Sequence, residues 1–210
     1  MDQFQEFIVT SNYCRWLESE GRRETWRECV DRYYDYFLDR FPVISEHLDT
    51  WNEIREMTYE REVFPSMRAL MTAGQAADKD DTCLYNCSYL PINTIKSFSD
   101  VLYILCCGTG VGFSCERDEI NQLPIVPEIT RNEDSFIVVE DSREGWAEAY
   151  NSLLVYLYKG IHPTWETHLI RPKGARLKTF GGRASGPEPL EKLFKFTINI
   201  FNQRSGSKLT

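Results

Sequence analysis

The chain has no apolar run approaching the roughly 20 residues that a membrane-spanning helix needs. Its start, Met1-Asp2-Gln3, is acidic and polar, where an export signal would be basic and then apolar. Positive charge is also in short supply. The 24 Lys and Arg against 32 Asp and Glu leave a net charge of −8 and a pI near 5.0. That balance disfavours a nucleic-acid backbone as the main partner, because such binding requires a cationic surface to displace counterions. Histidine is scarce and scattered, at His47, His162 and His168, so no zinc-site spacing can be assembled and no metal site is expected. The seven cysteines are odd in number and follow no export signal, which argues against a disulfide framework and for a reducing, cytoplasmic setting. There are no repeats and no low-complexity tract, and no glycine loop is followed by the Lys-Ser/Thr of a P-loop.

What is present is a chain of 210 residues, 42% hydrophobic, long enough for one or two modest domains. Thr25-Trp26-Arg27-Glu28 has the form of a capping box, and Trp26, Val30, Tyr33, Phe37 and Phe41 follow at helical spacing. Ile44, Leu48, Trp51 and Ile54 repeat the pattern to about Glu60, so residues 1–64 read as a helical region whose aromatics pack a core. From Pro65 onward short apolar runs alternate with glycine and polar turns. Leu84 to Ile92 reads as a buried strand, Phe98 to Cys107 as a helix stopped by Gly108, and Val111 to Cys115 as a second strand. Asp141-Ser142-Arg143-Glu144 can cap a helix that Gly160 ends. Ala175 to Phe180 is a strand candidate, and a last helix runs from Pro187 to about Gln203. Strands alternating with helices predict an α/β class with much parallel pairing.

Two stretches carry chemistry. Asn86-Cys87-Ser88 places a thiol at the head of a strand, and Gly108-Thr109-Gly110-Val111-Gly112 is a glycine turn where backbone can approach an anion closely. Cys83 and Cys87, four apart in one strand, would lie roughly 13 Å from each other, beyond disulfide reach. Cys14, Cys29, Cys106, Cys107 and Cys115 read as buried small hydrophobes. A third stretch, Phe180-Gly181-Gly182-Arg183-Ala184-Ser185-Gly186-Pro187, joins paired glycines to one cationic side chain ahead of a helix start.

Together these segments resemble the large, catalytic subunit of ribonucleotide reductases, closest to the adenosylcobalamin-dependent class II branch. The resemblance implies a helical region (1–64) followed by the first strands and helices (65–210) of a ten-stranded α/β barrel, incomplete in this chain. It implies conversion of ribonucleoside di- or triphosphates to deoxyribonucleotides by radical chemistry. In Asp81-Thr82-Cys83-Leu84-Tyr85-Asn86-Cys87 it makes Cys87 one half of the redox pair beneath the substrate ribose. Asn86, Gly110 and Ser66, of Pro65-Ser66-Met67-Arg68, fall at substrate-binding positions; Ser66 reads equally as a serine capping a turn. Gly181, Gly182, Arg183, Ala184 and Ser185 fall in the specificity loop, between effector nucleotide and substrate base, and Asn93 at the start of the effector-site wall.

The implied cofactors are adenosylcobalamin, with most contacts outside this chain, and a deoxynucleotide effector. The implied partners are a C-terminal reductase fragment and a thioredoxin-like reductant, in a bacterial or, for a viral gene, a host cytoplasm. The resemblance runs from Tyr13-Cys14-Arg15-Trp16-Leu17 to Gly206-Ser207-Lys208-Leu209-Thr210, short of the radical cysteine, the partner of Cys87 and the reducing cysteines. A split, intein-interrupted or truncated chain is expected. Only a brief linker is expected between Pro127 and Asp134, where some monomeric class II enzymes carry a long insertion. A class I, iron-dependent fragment and a non-catalytic nucleotide-binding regulator are the alternatives.

Overall fold

A computed structural model describes residues 3–177 and 182–209, and the chain divides into two compact units, one ending at Asn86 and the other beginning at Cys87. The first unit is mostly helical. It comprises α1 (Gln3–Asn12), the two-residue strands β1 (Trp16–Leu17) and β2 (Arg22–Arg23), α2 (Trp26–Arg40), a 3-10 turn (Pro42–His47), α3 (Leu48–Glu60), α4 (Met67–Thr72), α5 (Gln75–Lys79) and a second 3-10 turn (Asp81–Leu84). Helix α2 starts where the sequence predicts. Thr25 Oγ1 accepts from the Glu28 amide at 3.3 Å, and the Glu28 carboxylate accepts from the Thr25 amide at 2.7 Å. Hydrogen bonds from Arg22 first, then from Thr25, hold the Glu28 carboxyl down to about 2. Its contribution to the cap therefore persists at neutral pH and is lost only as the pH falls through that value. The buried face of α2, with Cys29, Val30 and Tyr34, packs on α3, where the Tyr34 hydroxyl meets Thr58 Oγ1 at 2.7 Å.

The second unit contains β3 (Cys87–Pro91), α6 (Ile95–Cys106), β4 (Gly110–Ser114), α7 (Arg117–Ile120), β5 (Thr130–Val138), α8 (Arg143–Tyr158), β6 (Ile161–Glu166) and α9 (Glu188–Gln203). Strands β3 and β4 pair in parallel, as do β5 and β6. Each pair is bridged by a helix, because parallel neighbours cannot be joined by a tight hairpin. The core joins Val126, Ile137 and Val139 to Tyr150, Leu153, Leu154 and Leu157 of α8 and Leu190, Phe194, Ile198 and Phe201 of α9, with α6 packed against α8. The fold is thus mixed α/β. Its described strands form three separate two-stranded ladders.

Four expectations change. The strand read from Leu84 begins at Cys87, because Asp80 caps a 3-10 turn by accepting from the Thr82 amide at 2.8 Å. Cys83 and Cys87 form no disulfide, but the reason is different: Cys83 is buried in that turn and Cys87 is exposed at the strand head. The linker expected at 127–134 is largely strand, since Thr130–Val138 forms β5 against β6. Ala175 to Leu177 form no named strand and make a single bridge, Arg176 to Arg183, while Lys178 to Phe180 lie outside the described residues.

Tyr158, at the end of α8, packs edge-on against Phe201 with ring centroids 4.9 Å apart, and its buried hydroxyl has no hydrogen-bond partner among the described residues. Burial pushes its phenol up to about 12. A hydroxyl that loses water without gaining a partner is a net cost. Tyr158→Phe should therefore leave urea-measured stability unchanged or raise it by up to about 1 kcal/mol. A loss of that size would mean that the hydroxyl is satisfied by bound water.

Candidate functional site around Cys87 and the glycine turn

Cys87 opens β3, and the ladder register sets it directly beside Gly110, with Ser88 beside Val111 and Tyr89 beside Gly112. Residues paired across a parallel ladder share a face, so Cys87 and Tyr89 stand on one side over two positions that have no Cβ. All four are exposed, Tyr89 to 68%. A methyl built on Gly112 would meet Ser88 O at 3.6 Å and the Tyr89 ring at 3.7 Å, ordinary contact distances, so the glycine leaves the face of Tyr89 uncovered. Ser88, on the opposite side, donates from Oγ to Gly110 O at 3.2 Å and ties the thiol strand to the glycine strand. The result is an accessible thiol above an open, glycine-floored surface. Such a surface can take a flat or sugar-like ligand without steric rearrangement.

The other predicted positions distribute as follows. Asn93 lies past the far end of β3, roughly 20 Å along the chain from Cys87 at strand rise. It is half-buried and donates from Nδ2 to Glu119 Oε2 at 3.0 Å. Ser66 belongs to the first unit, is exposed, and caps α4 by accepting from the Ala69 amide at 3.4 Å. The capping alternative is thus what the structure shows, although a hydroxyl that accepts retains its proton for donation. Asn86, at the end of the same unit, is exposed.

Gly182 and Ala184 pair back onto the stretch from Gly174 to Leu177. The Gly174 amide donates to Ala184 O at 2.9 Å, Ala184 N to Ala175 O at 2.7 Å and Leu177 N to Gly182 O at 3.0 Å. Arg183 is exposed and donates to Gly174 O at 3.0 Å, and Ser185, also exposed, donates to Gly186 O at 3.1 Å. Gly181 lies outside the described residues. Gly182 has φ +85° with nothing within 4 Å of a virtual Cβ, so its requirement is conformational; at Gly186, φ +76°, a Cβ would sit 3.0 Å from Lys173 N. At the base, Arg171 Nε donates to Asp141 Oδ2 at 2.7 Å, next to the Ser142 cap of α8. The expected anion preference of the α9 start is offset. Its first turn already carries Glu188 and Glu191, which complement the helix dipole.

Cys14, Cys29 and Cys107 are buried as expected, and Cys106 is half-buried with its thiol pushed up by burial. Cys115 is exposed, which corrects its reading as a packing residue, because it follows β4 into an open turn. Sequence reasoning missed the charged cluster around Glu24. This carboxylate is 6% exposed and accepts from both Arg32 Nε at 2.8 Å and Arg32 Nη2 at 2.9 Å. Its one sequence signal is Arg22-Arg23-Glu24 ahead of a helix cap, which reads as surface.

A family model described as B12-dependent ribonucleotide reductase, insertion domain, matches residues 116–201. The match takes in β5, α8, β6 and most of α9, and so includes the stretch from Pro127 to Asp134 that was expected as a linker. Among curated proteins, the adenosylcobalamin-dependent ribonucleoside-triphosphate reductases of Lactobacillus helveticus (strain DPC 4571) and Lactobacillus leichmannii are each 28% identical to this chain over 94% of it. This chain spans about a third of their length, 36%. The alignments run over 267 and 264 residues, more than this chain has, so the relatives carry segments absent here. A crystal structure of a B12-dependent (class II) ribonucleotide reductase superposes with a TM-score of 0.79 at 23% identity, covering 97% of this chain and 38% of the other. Family model, relatives and fold coincide: the chain is similar to the N-terminal part of B12-dependent ribonucleotide reductases.

Proposed function

We propose that this chain supplies the first part of the catalytic domain of a ribonucleoside-triphosphate reductase, with Cys87 as one thiol of the pair that reduces the ribose. The observation that carries this reading is the exposed thiol of Cys87 in register with Gly110, on a face floored by two glycines. A thiol there can deliver a proton to a departing 2′-hydroxyl and reducing equivalents to the sugar, ending as a disulfide with a cysteine outside this chain. Gly110, Asn86 and Ser66 would present backbone and side-chain donors to the substrate phosphates. The β3–β4 ladder would then be the opening pair of a larger α/β barrel.

The relatives' printed names favour a triphosphate substrate and adenosylcobalamin over an iron-dependent system. No group of three or more His, Cys, Asp and Glu among the described residues is placed to hold a metal ion. Most cobalamin contacts would be supplied by the part of a class II reductase beyond this chain. The test is complementation. The chain, mixed with the remaining portion of a class II reductase, adenosylcobalamin, a ribonucleoside triphosphate and a dithiol, should restore deoxyribonucleotide formation. Nucleotide binding with no turnover would favour the regulatory reading, and turnover without cobalamin the iron-dependent one.

The hairpin carrying Gly182, Arg183, Ala184 and Ser185, with Gly181 and Asn93, is proposed as the link between effector and substrate base. Arg183 is held at its carbonyl partner by one hydrogen bond and is otherwise solvent-facing, so a ligand can recruit it cheaply. Arg183→Ala should change which base is reduced under a given deoxynucleotide by about tenfold, the scale of a coupling free energy of ~1–3 kcal/mol. Equal loss of rate on all four substrates, with effector response intact, would sink the assignment.

A further inference from the structure

In the first unit two thiols meet inside the protein. Cys14, 2% exposed, follows α1 and immediately precedes β1, while Cys29, fully buried, sits on the inner face of α2. They share one cluster with Leu70, walled by Val9, Tyr13, Trp26 and Tyr33. The Tyr13 carbonyl, one residue before Cys14, accepts from Cys29 Sγ, so the two cysteines meet at one point of that cluster. The surroundings are not those of a purely apolar pair. Arg32 Nη2 donates to Cys29 Sγ at 3.5 Å, Arg23 Nη1 to Cys14 O at 2.7 Å, and Cys29 Sγ to Tyr13 O at 3.4 Å. The Cys29 hydrogen bond is the largest influence holding the Cys14 thiol below its usual range, with Arg32 and Arg23 acting in the same direction against burial and Glu24. The same contact, with burial, pushes the Cys29 thiol up, so Cys14 is the better nucleophile of the two.

We propose that Cys14 and Cys29 are an oxidation site for hydrogen peroxide and close to an intrachain disulfide that fastens the β1–β2 hairpin to α2. The chemistry balances in two steps. The Cys14 thiolate attacks one peroxide oxygen, the O–O bond breaks, and hydroxide leaves, which takes up a proton to become water; Cys14 is now a sulfenic acid. The Cys29 thiol then attacks that sulfur and expels the hydroxyl as a second water. Both sulfurs are oxidised and the peroxide supplies the two-electron acceptor. An oxidant of nearly the size of water suits thiols this deeply buried. The pair is separate from Cys87, which is exposed and in the other unit. Its consequence is local: Arg15 and Arg32, which flank it, also hold Met71 O, Thr72 O and Ala73 O at the end of α4, the helix capped by Ser66.

The full chain would be treated with submillimolar hydrogen peroxide, alkylated under denaturing conditions and digested at Arg and Lys, which separates residue 14 from residue 29. A linked Cys14–Cys29 peptide that dithiothreitol dissolves is the expected result. The oxidised chain should also melt roughly 10 °C higher, the scale for a crosslink closing a loop of this length in a chain of this size. Cys29→Ala, which only shortens a buried thiol, should abolish both the linked peptide and the shift. Recovery of Cys14 and Cys29 as separately alkylated residues while other thiols oxidise would overturn the proposal. So would a linked peptide with an unchanged melting temperature, or linkage of either residue to Cys83 instead.

Discussion

Cys87→Ser in the complemented reductase is expected to lower turnover by roughly three orders of magnitude or more, while nucleotide affinity changes by less than about twofold. The two readouts separate because the thiol is consumed in the reducing step. Binding, in contrast, rests on the glycine-floored surface and on donors that serine leaves untouched. Serine keeps the size and the exposed position at the head of β3, so the ladder with Gly110 is not disturbed. It removes only the capacity to form a disulfide and to transfer electrons. Cys115 is the matched control, since it too is exposed, follows the neighbouring strand, and is assigned no chemistry. Turnover should survive Cys115→Ser. Equal losses from the two substitutions, measured as single-turnover product with external dithiol, would remove Cys87 from the redox step.

The legible parts of the fold are those in which local chemistry is self-sufficient. Thr25 and Glu28 satisfy each other's backbone amides whatever surrounds them, and so the start of α2 can be read from four letters. The same holds for the Ser142 cap of α8 and for α9 following Pro187. The β5–β6 ladder was not legible. Thr130 to Ser135 is polar and nearly without alternation, and what makes it strand is pairing with Ile161–Glu166, thirty residues away and across a bulge. Leu84 misled for a related reason: it continues the apolar run of β3, but the Asp80 cap turns the backbone before the ladder can form. At the candidate site, the sequence sets Cys87 and the glycine turn one helix apart, and the ladder register makes them neighbours. It could not foresee that Cys115 would be exposed, because burial depends on the turn after β4. Nor could it foresee Glu24, whose burial depends on an arginine eight residues further on.

Breaking that buried pair is the second large effect expected. Arg32 makes a two-pronged contact with Glu24 and at the same time donates to Ala73 O at 2.9 Å and to Tyr13 O at 3.4 Å, with its side chain 17% exposed and that of Glu24 6%. Each charge has lost most of its water, and each is compensated only by the other and by fixed backbone partners. Arg32→Met strips the cation, takes the Arg32 donor from Ala73 O and leaves the carboxylate with the Arg15 amide, at 2.9 Å, as its remaining assigned donor. The expected loss is about 3–5 kcal/mol by urea denaturation, a large share of what holds a small domain together. Arg32→Lys should recover little, since an ammonium cannot fork to both carboxylate oxygens and still reach Ala73 O. Glu24→Gln combined with Arg32→Met should be less damaging than the sum of the two single changes, because the second substitution removes the charge that the first left stranded. Additive losses, or an Arg32→Met cost below about 1 kcal/mol, would show that water reaches the pair and that the first unit is held by its apolar clusters alone.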